Sequence, residues 1–522
     1  MSEEKRQSGA APLILVTTLI PLLPVAFVPL PPLLDYPNHL ARLWLIAGGG
    51  VGTPLELIYD VDWSLAWVNI GIDLAALALS PILDANSVGR ICIGLSLLLP
   101  SLGFILLGRI ITHQWHPLLV AGPILSMNSL LAMGFLNHQI AVGLAMLFAA
   151  GDNAWRAGPL AKLLPRSIVG ASLAVIHPFG AFTFSVIVAG LALEASATLR
   201  KSFLSALAGA AFAGVPAITA ALVLAALAPH LPGADPRATT LPWLYLPEAK
   251  LIGGLAGFVS YDPLPELTLA LVLAWLIWLG LRRSIFLRHR GLLVSSLGCI
   301  ILMLILPSNV GDAGQVEARL GTFALMLGAL ALLPGPGMYR ISTRVLTLLV
   351  VLLAIRTAHL MQRWNEGSRE IAAVEAVLAA LPYGSSLLGV QPAPGPHSNG
   401  PKIFGIWTTL LHAPARAVPM RLSFVPTLFS AAGKQPIRVL PPWSARAAPD
   451  GILPQPGFLE MPHHPELVRA FPYLRGWRAY FTHVLLIDAP ALGADAPATG
   501  LELIADGGSV RLYRLEVEAA PP

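Results

Sequence analysis

The segment WSLAWVNIGIDLAALALSPIL, residues 63–83, decides how the whole chain is threaded. It is long enough to cross a bilayer as a helix. Yet it carries Asn69, Asp73 and Pro81. If it crossed, the basic loop WRAGPLAKLLPR (155–166) would fall outside the cell. Short Lys/Arg-rich loops belong on the cytoplasmic side. The segment therefore reads as an interfacial or re-entrant helix on the outer face.

Working outward from that choice, the composition is that of an integral membrane protein. Of 522 residues, 55% are hydrophobic and only 12% charged, about half the charge of an ordinary soluble domain. The mean hydropathy is +0.71. The apolar runs are long enough for helices rather than barrel strands. The net charge of +5 suggests Lys/Arg held inside by the positive-inside rule. No basic–aromatic patch points to nucleic acid. Cys92 and Cys299 both lie in apolar runs, so neither a disulfide framework nor a thiolate metal site is expected.

Lys5 and Arg6 place the N-terminus inside, with an uncleaved first span at about 12–32. Further spans are expected at 91–108, 117–133 and 135–150, and in a short span ending near HPFG (177–180). The next returns to Arg200 and Lys201, and others follow at 203–228, 264–281, 291–307, 320–335 and 344–360. The expectation is an all-α polytopic protein of about eleven transmembrane helices. Residues 1–361 form the transmembrane domain and 362–522 a small extracytoplasmic α/β domain. In the latter, SREIAAVEAVLAAL (368–381) has helical period, while SSLLGV, HVLLID and LELIADGGSVRLYRLE read as strands. The stretch 391–475 is Pro-rich and irregular.

With that threading, polar residues collect on one face. Asp35, Asn38, His39 and Arg42 sit in LLDYPNHLAR (33–42), and Asn137 and His138 in GFLNHQ. His177 ends a short span, and Asp312, Glu317 and Arg319 lie in SNVGDAGQVEAR (308–319). Ionisable groups in or beside a membrane pair with one another or line a wet cavity. Pro37 suits a first helical turn, and Asp35 just upstream suits the positive helix end. Asn38, His39 and Arg42 can share a helix face. Each also has a purely structural reading: Asp35 paired with Arg42, Asn137 as a helix cap, His177 as a hydrogen-bonded kink residue, Arg319 as a snorkelling anchor. The functional reading of Arg319 is a phosphate clamp, which suits a guanidinium fork. No Walker A, GxGxxG, HExxH or GxSxG motif occurs, and PHHP (462–465) reads as a loop.

The layout resembles the GT-C superfamily, multispanning glycosyltransferases that use polyprenyl-phosphate sugars. The resemblance covers roughly residues 1–360. It rests on Asp35 directly after the first span, external segments at 53–87, the polar GFLNHQ loop, a long loop at 229–263 and Arg319 in a late external loop. It implies a periplasmic active site at the bacterial inner membrane, and transfer of a sugar to a glycan, lipid or protein acceptor. Asp35 would be the catalytic base, with His39 as the other candidate. Asn38, Arg42, Asn137, His138, His177, Glu317 and Arg319 would bind substrate or phosphate. Some members use a divalent ion near the acidic loop residues. Here DY replaces a paired acidic motif and NHQ stands where a second acid is frequent, so no cofactor is assigned and any metal site is unknown. Three other readings remain: an O-antigen ligase or polysaccharide polymerase using His230 and Arg237 in the 229–263 loop; a transporter, although no internal repeat is evident; and a non-catalytic scaffold whose external domain binds a partner.

Overall fold

The computed structural model describes residues 11–229, 247–282, 289–309, 314–333, 343–393, 400–405, 407–448, 451–488 and 497–516. His230, Asp235, Arg237 and Asp312 lie outside the described residues. The chain is mostly helical, 64% helix against 7% strand, so its long apolar runs are helices. Four are long and apolar enough to cross a membrane: Ala85–Thr112, Pro178–Thr198, Phe203–Leu227 and Arg344–Leu378. The first has 28 residues, about 42 Å at 1.5 Å per residue, longer than the roughly 30 Å hydrocarbon core.

Several expected spans are shorter or broken, for readable reasons. Pro21 and Pro24 divide Ala11–Phe27 into α and 3-10 turns. The expected span 117–133 is a 3-10 turn, Pro117–Val120, followed by Ala121–Ser126 and Ser129–Ala132. Asn128 breaks it, because its side chain caps Leu131 instead of continuing the ladder (3.1 Å). The segment 63–83 contains only a nine-residue helix, Gly71–Leu79, about 14 Å long and too short to cross. Residues expected as a span (344–360) and a separate helix (368–381) instead form one helix of 36 residues, Thr343–Leu378. No proline interrupts them, and Gln362 and Arg363 both bond Glu366 one turn on, at 3.0 and 2.6 Å.

Two compact units are present. One comprises residues 1–27, 67–71 and 92–361; the other, residues 28–66, 72–91 and 362–522. The loop carrying Asp35 thus belongs with the C-terminal residues.

In the first unit, helix Pro178–Thr198 packs against Leu136–Ala154, Leu163–Ile176, Phe203–Leu227 and Arg290–Ile305. The core joins Phe104, Phe184 and Phe323 to Ala145, Ala149, Ala181, Ala213 and Ala217. Small residues let helix backbones approach where hydrophobic burial supplies no drive between helices. One such case positions the candidate site: a Cβ on Gly253 would stand 2.5 Å from Cβ of Glu317, so helix Pro247–Leu255 lies directly on Val316–Ala331.

The second unit holds a four-stranded sheet in the order Leu387–Val390, His483–Leu486, Arg511–Leu515, Leu501–Asp506. The first pair is parallel and the others antiparallel. The Gly507–Gly508 turn closes the last hairpin with Gly508 at φ 82°, as its sequence suggests. Strand Tyr59–Val61 pairs antiparallel with Ile437–Val439, tying the early segment to the Pro-rich region. Buried Tyr59 gives its hydroxyl proton to the Val425 carbonyl (3.2 Å) and accepts from the Val425 N–H (3.1 Å).

His116 is buried before the turn Pro117–Val120, where its Nδ1 accepts from the Leu118 N–H (3.1 Å). Its Nε2 is buried without a partner among the described residues. Burial lowers its pKa from 6.5 to about 4. The folded state then resists a proton that the unfolded chain accepts below 6.5, so stability falls as pH drops from 6.5 to about 4. The full loss is about 3 kcal/mol. His116→Asn keeps a capping oxygen and removes the titration. Thermal unfolding of both proteins between pH 7 and 4 is expected to show a shallower pH dependence for the variant.

Candidate functional site

The candidate residues form two clusters, one in each unit.

In the second unit, Pro37 stands in the first turn of helix Tyr36–Ile46 and Asp35 is the residue before it. Asp35 makes no side-chain cap to the backbone. Its Oδ1 lies 3.4 Å from Nε2 of His412, and its side chain keeps 14% exposure. The separation exceeds the usual hydrogen-bond range of about 2.7–3.2 Å, so the contact is mainly electrostatic. Nδ1 of His412 is buried without a partner among the described residues. Phe429 packs edge-on against both His412 (4.9 Å) and His39 (5.9 Å).

Two neighbours expected to contact substrate have protein partners in the structure. Asn38 clamps a loop: its Nδ2 donates to the Thr427 carbonyl and its Oδ1 accepts from the Phe429 N–H, both at 2.8 Å. Arg42 is not Asp35's partner. It donates Nε and Nη2 to the Asp73 carboxylate at 2.6 and 3.3 Å, with both side chains essentially buried. Burial raises the Asp73 carboxyl pKa, and the guanidinium opposes that rise. Pairing with Arg42 is thus the reason a charged residue, Asp73, stands in the apolar 63–83 segment.

In the first unit, His177 separates helices Leu163–Ile176 and Pro178–Thr198. A residue before proline is driven out of the helical region, and His177 is extended at φ −165°, ψ 128°. Its Nδ1 accepts from the Phe179 N–H (3.1 Å). Arg319 begins the first full turn of helix Val316–Ala331 and bonds the Gly314 carbonyl through Nε (3.0 Å). Its Nη1 lies 3.1 Å from Nδ1 of His138 and 3.0 Å from Nε2 of His177, with Phe135 under the guanidinium at 4.3 Å.

These contacts cannot all be hydrogen bonds. A neutral imidazole has one lone pair and one N–H. With Nδ1 of His177 accepting from Phe179, its Nε2 carries the proton and points it toward Arg319. A guanidinium and an imidazole thus meet at 3.0 Å. The His138 ring lies 5.1 Å from His177 and 4.7 Å from Phe179, closing the aromatic wall.

Glu317 points to a different partner, Nζ of Lys250 at 3.8 Å, and Lys250 also bonds the Leu306 carbonyl. Asn137 does not cap its helix; it donates to the backbone carbonyl of Asn69 (2.7 Å). Sequence reasoning missed His412, Asp73, Phe135 and Phe429. Asp73 had a signal, as a lone acid in an apolar run. His412 had none, because its partner is remote in sequence. Among the described residues no group of three or more His, Cys, Asp or Glu could hold a metal ion. Asp35 with one imidazole is too small a ligand set for a divalent cation.

The sequence matches no known family model and no curated protein.

The Arg42–Asp73 pair is expected to carry structure. Arg42→Met leaves a buried carboxylate unpaired and should cost about 3–5 kcal/mol. Arg42→Met with Asp73→Leu should recover most of that loss. Unfolding midpoints of purified protein check both; a single variant as stable as the parent would contradict the assignment.

Proposed function

We propose that the chain is a membrane glycosyltransferase of the GT-C type, moving a sugar from a polyprenyl-phosphate donor to an acceptor hydroxyl. The observation that carries this reading is the donor convergence at Arg319 and His177. The buried Arg319 guanidinium lies 3.0 Å from the His177 imidazole in a unit that contains helices long and apolar enough to cross a bilayer. An oxyanion bound among such helices suits a phosphate carried on a lipid. The threading with about eleven spans, an external active site and an extracytoplasmic C-terminal domain belongs to the same proposal.

Asp35 is the base in this reading. It takes the acceptor hydroxyl proton as the acceptor oxygen bonds to the anomeric carbon. The bond from that carbon to the phosphate oxygen breaks, and the electron pair leaves on the lipid phosphate. His412 orients the carboxylate and steadies its charge before transfer. Asn38 and the Arg42–Asp73 pair hold the helix start that presents Asp35. Arg319 and His177, in the other unit, are assigned to the lipid phosphate because a guanidinium fork suits an anionic oxygen. The polyprenyl carrier already activates the sugar, so the reaction needs no nucleotide site.

Two variants test the two halves of the reading. Asp35→Asn in lipid nanodiscs should lower turnover of a polyprenyl-phosphate sugar on the order of 10²–10⁴-fold, the usual contribution of a positioned base. Arg319→Lys keeps the charge and loses the fork, so the donor KM should rise at least about tenfold. Normal donor consumption by Asp35→Asn would overturn the assignment of the base. An unchanged KM in Arg319→Lys would overturn the phosphate site.

A further inference from the structure

The second unit contains a cavity of about 150 Å³ that neither cluster uses. Gln391, Pro392, Trp407, Thr408, Leu453 and Gln455 line it. Gln391 follows the strand Leu387–Val390, just past the carboxyl end of the parallel pair. Loops at such strand ends are where open α/β sheets place ligand contacts. The Gln391 N–H donates to the Pro454 carbonyl (3.0 Å), which fixes the backbone. Trp407 and Thr408 form a two-residue strand paired with Lys402–Ile403. Thr408 accepts the Leu410 N–H on its hydroxyl oxygen (3.2 Å), leaving the hydroxyl proton to donate.

The lining has a specific chemistry. Trp407, Leu453 and Pro392 supply an apolar wall. Two amides and a hydroxyl supply polar groups from three separate elements. The Gln391 Nε2 is buried and has no hydrogen-bond partner among the described residues. A buried amide donor left unsatisfied costs free energy, and a ligand oxygen would remove that cost. Among the described residues no charged side chain lines the cavity, which suits a neutral ligand. The volume is well below the roughly 300–1,000 Å³ of a drug-sized ligand site, so it takes one small ring.

We propose that this cavity binds a single neutral sugar ring. A pyranose has an apolar C–H face for the indole and hydroxyls around its edge for polar groups on separate elements. A nucleobase presents its polar atoms along an edge of a flat ring, which fits this distribution less well. The inference goes beyond the catalytic reading and does not depend on it: the cavity binds sugar whether or not the chain transfers one. If both hold, the cavity is a subsite for a sugar residue of the acceptor.

The test is saturation-transfer NMR on the full chain in lipid nanodiscs, avoiding glycoside detergents. The probes are methyl glucopyranoside, galactopyranoside and mannopyranoside, with adenine and cytosine as competitors. At least one glycoside should bind with Kd on the order of 1 mM, the scale for a ring of about a dozen heavy atoms. Gln391→Leu, which keeps the shape and removes the amide, should weaken binding at least about tenfold, and so should Trp407→Ala. If Trp407→Ala does not fold, Gln391→Leu decides. No glycoside binding, unchanged binding in Gln391→Leu, or binding of the bases alone would each overturn the proposal. Donor turnover is measured separately in the same samples, so failure of the transferase reading and failure of the sugar site give different results.

Discussion

A charge withdrawn from water must find a partner, and that requirement shapes both units. The guanidinium of Arg42 is buried because Asp73 meets it with both carboxylate oxygens. That pair fixes helix Tyr36–Ile46 to helix Gly71–Leu79. Asn38 then ties the first of these helices to the loop at Thr427 and Phe429. Asp35 precedes the same helix, and its orientation follows from these constraints. Removing one partner of such a pair costs more than removing both, because a lone buried charge remains.

Arg319 meets the same requirement differently. Its partners in the structure include two imidazoles, a backbone carbonyl and a phenyl ring. Such a setting orients the guanidinium. Arg42 sits on a carboxylate, whereas the described contacts of Arg319 are to imidazoles, a carbonyl and a ring. The proline after His177 matters here. It forces an extended residue between two helices, and the resulting cap fixes which nitrogen of His177 carries the proton.

Much of the secondary structure was legible from the sequence. The apolar runs at 91–108 and 203–228, the strands of the C-terminal sheet and the Gly507–Gly508 turn all follow from composition and period. The polar breaks Asn69, Asp73 and Pro81 correctly argued against a spanning helix at 63–83. Element boundaries were less legible. The continuous helix Thr343–Leu378 changes from apolar to amphipathic along its length, and that change of composition looked like a gap between two helices.

The candidate site divides in the same way. Asp35, Arg319, His138 and His177 stood out because ionisable residues are rare beside apolar runs. Their residue types, local helix starts and the kink at Pro178 were determined by the sequence alone, since they depend on neighbours within a few positions. Which carboxylate meets Arg42, which imidazole meets Asp35 and which nitrogens surround Arg319 were decided only by tertiary structure. Those contacts join residues at least 31 positions apart in the chain, and no local preference encodes a contact across such a separation.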